Sequence, residues 1–191
     1  METPAAISPR QAEDILGELA RTRRTTRRAL GTPWFPPVVF GAVTMLSAPV
    51  VAVAGTGALM PIWIVACAGG MLAVARHYRR RAAARGVTGR GAPIWRVAVA
   101  MAAVGFVAGT GAGMLAGAQA GVLAPIVAIV AGYAVLGRML RTLVLPLGVA
   151  ASGGAAFALA LSGAAPWAVE LTFGAGLVAV GAALRLSERS A

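Results

Sequence analysis

Lysine does not occur in this chain, and acidic residues are few: six Asp and Glu stand against 17 basic residues, all of them arginine. No carboxylate lies between Glu18 and Glu170. Paired-carboxylate catalysis and most proton relays need acidic groups close together, so both are excluded for most of the chain. The single cysteine, Cys67, sits in an apolar run with no base nearby. It can form no intrachain disulfide and reads as a buried, inert thiol. The single histidine, His77, adjoins arginines and has no second histidine to complete a metal ligand set. Ser152-Gly153-Gly154 has no histidine in any apolar run to activate its serine, and the glycines near 110 lack the Lys-Ser/Thr of a phosphate loop. No enzyme, metal or cofactor is expected. The first 37 residues are polar and contain no apolar core of the signal-peptide kind, so no cleavable leader is expected either.

What the chain has in plenty is apolar length. Hydrophobic residues make up 59%, charged residues 12%, and mean hydropathy is +0.80. A soluble domain carries about 25% charged residues, so this balance points to the lipid bilayer as solvent. A net charge of +11 raises the question of nucleic acid. The arginines, however, gather at the ends of apolar runs instead of forming one face, which is a pattern of membrane topology. No nucleic-acid partner is expected.

Ser8-Pro9-Arg10-Gln11 reads as a helix start, with a Ser cap, Pro at the first helical position and Gln three residues on. Ala12, Ile15, Leu16 and Leu19 form a short apolar stripe, and Arg21, Arg23, Arg24, Arg27 and Arg28 follow it. Residues 1–32 therefore form a cytosolic amphipathic segment. Ile15, Leu16, Leu19, Arg23, Arg24, Arg27 and Arg28 are its candidate contacts with a cytosolic protein or an anionic membrane surface.

Trp34-Phe35-Pro36-Pro37 marks membrane entry, since aromatics favour the headgroup layer and prolines cannot continue a preceding helix. Six apolar runs follow, at about 38–54, 59–75, 97–115, 122–137, 143–161 and 167–184. Arginines fall before the first run, between the second and third, between the fourth and fifth, and after the sixth. The other three connections, 55–58, 116–121 and 162–166, contain none. Positive charge stays cytoplasmic, so the expected architecture is all-α, with six transmembrane helices as three outward hairpins and both termini inside. Residues 33–185 form this bundle, and 186–191 a cytosolic tail.

Gly105, Gly109, Gly113 and Gly117 are spaced four apart in the third run. Such a ladder lets another backbone approach closely, which matters in lipid because dispersion packing must hold helices together. The expected partner is another helix of the same chain, with a self-association face as the alternative. Ladders of small residues also run through Ala124, Ala128 and Gly132, through Gly148, Ser152 and Ala156, and through Ala175, Ala179 and Ala183. Glu170, the one acidic residue in a run, lies four residues after Pro166, about 6 Å below the outer end. Its expected setting is a hydrated carboxylate at headgroup level, with a polar contact at the outer mouth as the sharper reading.

The N-terminal stretch, Ala12-Glu-Asp-Ile-Leu-Gly-Glu-Leu-Ala with its arginine run and Pro33-Trp-Phe-Pro-Pro, resembles a group of uncharacterised multi-pass membrane proteins of high-GC bacteria. Members of that group are often encoded beside winged-helix regulators. The resemblance covers about the first 45 residues and implies a membrane component of a regulatory pair; it carries over no catalytic residue. The reading of the whole sequence is a non-enzymatic inner-membrane protein, structural or regulatory, with a small permease or transporter subunit as the alternative. A water-filled cavity at mid-membrane would favour the alternative, and a solid bundle with a free apolar stripe near residue 15 the first reading.

Overall fold

The structure, a computed structural model, describes residues 10–18, 33–55, 57, 59–84, 94–140 and 142–190. Every regular element among them is helical. A short helix α1 covers 10–18. It is followed by α2 (Phe35–Ala54), α3 (Leu59–Ala84), α4 (Ile94–Ala116), α5 (Ala118–Leu140), α6 (Val144–Leu161) and α7 (Pro166–Arg189). Five of these, α2, α4, α5, α6 and α7, are long and apolar enough among the described residues to cross a membrane. The shortest, α6, has 18 residues and spans about 27 Å, close to a hydrocarbon core.

Helix boundaries follow the prolines and glycines. Pro36-Pro37 opens α2, and Pro166 occupies the first turn of α7 after an extended Ala165. Gly55, Gly117 and Gly163 adopt positive φ, and all three lie in the connections that lack arginine. A single such residue can reverse the chain. Gly117 alone separates α4 from α5, its N–H donating to Gly113 O at 3.2 Å.

Two boundaries differ from the sequence reading. The helix begun at Leu59 runs on to Ala84 instead of ending near 75, because Arg76–Arg81 and the alanines after them are good helix formers. Among the described residues, α3 is not one of the five helices that qualify as spans. Residues 118–121, expected in a turn, form the first turn of α5, which places Pro125 in its second turn. The basic segment at 21–28 and the rest of residues 1–32 lie outside the described residues, apart from 10–18.

The helices α2 to α7 make a ring in chain order, closed by the first against the last. The pairing of α2 with α7 is the most extensive, followed by α4 with α5 and α6 with α7, whereas α3 and α4 barely touch. The core lies among α5, α6 and α7, where Leu145, Val149, Ala156, Val169, Phe173 and Leu177 are almost fully buried. The two ends of the ring differ. At one end Trp34, His77, Tyr78 and Arg185 cluster, and Arg81 pairs with Glu188. At the other, Gln119 Nε2 lies within donating distance of Ala160 O at 3.1 Å and Ala164 O at 3.4 Å, tying the start of α5 to the end of α6 and the turn before α7.

Candidate functional site

The residues singled out by the sequence fall in four places. On α1, residues 10–18 are exposed throughout, with Ile15 at 49% and Leu16 at 65% of full exposure. Two neighbouring apolar side chains thus stand free on a helix that precedes an arginine run. Leu19, Arg23, Arg24, Arg27 and Arg28 lie outside the described residues.

The glycine ladder lies along α5. A Cβ placed on Gly105 would sit 3.8 Å from Ala128 Cβ, and one on Gly113 would sit 3.5 Å from Gly121 Cα. At Gly109 the same atom would come within 2.7 Å of Pro125 Cγ and 3.2 Å of Gly121 O. Closest approach is therefore at Gly109, against the proline ring. Gly117 has nothing within 4 Å and a φ of 87°, so it forms the turn and not the packing face. Regular spacing joined two different roles in one pattern.

The tightest seam was not legible as a ladder. A Cβ on Gly41 would lie 2.7 Å from Gly174 O, and one on Gly174 would lie 2.8 Å from Gly41 O. Here the backbones of α2 and α7 touch reciprocally. Gly181 extends the seam towards Trp34, with its hypothetical Cβ 2.8 Å from Trp34 O. The alanines expected to pack, Ala175, Ala179 and Ala183, instead point outward. The signal was present in Gly174 and Gly181, seven apart on α7, but both helix faces are apolar and composition alone does not choose between them.

Glu170 sits in this seam. It is 4% exposed, which corrects the hydrated interfacial setting expected from its place near the start of α7. The rotation of α7 turns this side chain toward α2, where Ser47 meets it. Ser47 Oγ donates to Glu170 Oε2 at 3.1 Å or to Thr44 O at 2.8 Å, and Thr44 Oγ1 donates to Phe40 O at 2.8 Å. Ser47 and Thr44 are themselves buried. A shallow apolar groove of about 300 Å³ adjoins the pair, lined by Ala48, Pro49, Ala52, Trp167 and Leu171. A second groove of about 640 Å³ lies between α5 and α6, where Arg138 and Thr142 join Pro146 and Leu147.

At the arginine-bearing end, His77 stacks on Phe35 at 4.1 Å between ring centres and meets Trp34 and Tyr78 edge-on. Arg185 lies over the Trp34 ring at 4.6 Å. Burial, together with the charges of Arg81 and Arg185, lowers the His77 pKa from its ordinary value of 6.5. The Nε2 of His77 is buried without a hydrogen-bond partner among the described residues. The imidazole takes part in an aromatic stack that joins α2, α3 and α7. No group of three metal-ligating side chains occurs among the described residues. No family model matches the chain, and no curated protein or solved structure does so significantly.

Proposed function

We propose that this chain is a non-enzymatic inner-membrane protein of six spans with both termini in the cytoplasm, and that α1 docks on the anionic membrane surface. The observation that carries the reading is the free apolar pair Ile15 and Leu16 on a helix succeeded by five arginines. Each arginine near an anionic leaflet contributes about 1 kcal/mol, and partial burial of the Ile and Leu side chains adds a similar amount. The sum suffices for reversible docking but not for firm anchoring. Docking of this kind would let the arginine run report on surface charge and present or withdraw the N-terminal segment. The alternative, a small permease, draws support only from Glu170. The two grooves nearest a pathway are open depressions lined mostly by apolar side chains.

An environment-sensitive fluorophore on Leu16→Cys, in a Cys67→Ser background, tests the proposal in the full chain reconstituted in vesicles. Anionic vesicles should shift its emission toward that of a buried probe. High salt, or Arg23, Arg24, Arg27 and Arg28 all changed to Gln, should reverse the shift. Identical emission in neutral and anionic vesicles would rule out the lipid surface, and a shift seen only with a cytosolic protein fraction would assign the face to a protein.

A further inference from the structure

We propose that Glu170 and Ser47 form a proton-binding site inside the bundle, in which the Glu170 carboxyl holds its proton at neutral pH. This site does not depend on what α1 binds. Three observations carry it. First, the carboxyl is buried between the two most closely packed helices, where ionisation would leave a charge out of water. Second, among the described residues no cation pairs with it to balance that charge. Glu170 is the only charged side chain in 34–75, 97–137 and 142–184. The helices packed on α7 contribute only uncharged groups at this depth, and their buried polar side chains are Thr44, Ser47, Tyr133 and Ser152. The N-terminus of α7 favours negative charge, but Glu170 is already its fifth residue, and that influence fades within the first turn.

The third observation is the proton count around Ser47. Its hydroxyl has one proton, and two oxygens lie within hydrogen-bond distance, Thr44 O at 2.8 Å and Glu170 Oε2 at 3.1 Å. A backbone carbonyl can only accept. When Ser47 donates to Thr44, its contact with Glu170 is a hydrogen bond only if the carboxyl supplies the proton. The protonated site is then a directed chain, from Glu170 O–H to Ser47 and from Ser47 O–H to Thr44 O. Loss of the proton obliges Ser47 to turn from Thr44 to the carboxylate. One hydroxyl rotation therefore links protonation of α7 to the Thr44 carbonyl of α2, and Ser47 itself is followed directly by Ala48, which lines the apolar groove. Beyond Glu170, the Gly41–Gly174 contact closes the seam on the other side.

Infrared absorption of the full chain in lipid vesicles reads the proton directly. At pH 7 the carboxyl groups in water are ionised, whereas Glu170 should show the carbonyl stretch of an un-ionised acid. That band should vanish in Glu170→Gln, which is neutral and of the same shape, and should fade in the native chain as pH is raised. Ser47→Ala removes the one side-chain donor to the carboxylate among the described residues, so the band should persist about one pH unit higher, a tenfold gain in proton affinity. Absence of the band at pH 7, or its survival in Glu170→Gln, would overturn the site. An unchanged pH profile in Ser47→Ala would overturn the role given to Ser47.

Discussion

At the scale of single residues, glycines set the distances between helices, and each does so for its own reason. An alanine at Gly109 drives its Cβ into the Pro125 ring, which cannot rotate away. At Gly105 and Gly113 the nearest atoms, at 3.8 and 3.5 Å, accept a methyl group as an ordinary contact. Alanine also favours the helix by about 1 kcal/mol over glycine. At Gly117 space is free but the left-handed backbone is not, and a Cβ there costs about 1–2 kcal/mol. The four alanine variants should therefore melt in detergent in a definite order: Gly105 and Gly113 at or above the native chain, Gly117 below it, and Gly109 lowest, by about 1–3 kcal/mol. Equal melting of the Gly105 and Gly109 variants would contradict the contact with Pro125.

At the scale of elements, α3 is held differently from the rest. It packs only modestly on α2, where Gly70 lies against Phe40, and its other attachments cluster around His77, Arg81 and Arg185. The folded pKa of His77 is lowered, so the unfolded chain takes up a proton first as pH falls. Stability is then full above about pH 6.5 and drops as pH falls through the folded value. The melting temperature should decrease between pH 7.5 and 5.5, and His77→Phe, which keeps the stack on Phe35, should remove most of that decrease. An equal decrease in both chains would assign it to other groups. The extent of α3 also shows where sequence reading stopped. Arginine ends an apolar run without ending a helix, so the run to Ala75 gave the apolar part and missed the extension to Ala84 that brings Arg81 to Glu188. Prolines and glycines marked the starts of α2 and α7 and the arginine-free turns well, because their backbone restrictions act locally. The rotation of α7 was not legible. Ala175, Ala179 and Ala183 face outward while Gly174 and Gly181 face α2, and in a lipid-compatible helix both faces are apolar. The partner of Glu170 lies 123 residues away in the chain, a relation set by ring closure and not by any local pattern.

At the scale of the whole molecule, chain order and ring order coincide, and the arginines divide the ring into two unlike ends. Trp34, His77, Arg81 and Arg185 meet at one end. At the other, the positive-φ Gly117 and Gly163 lie in the α4–α5 and α6–α7 turns, which Gln119 ties together. The proposed six-span arrangement would give every arginine-bearing connection one side of the bilayer and the arginine-free turns the other. The proposed docking of α1 requires that side to be cytoplasmic. Reporter fusions in the full chain test this orientation most directly. Fusions at Gly57, Gly117 and Ala164 should report the outside, and fusions at Gly89 and Ala191 the cytoplasm. A cytoplasmic signal at Gly117 would contradict the account, since α4 and α5 could not then form an outward hairpin and the six-span arrangement would fall with it.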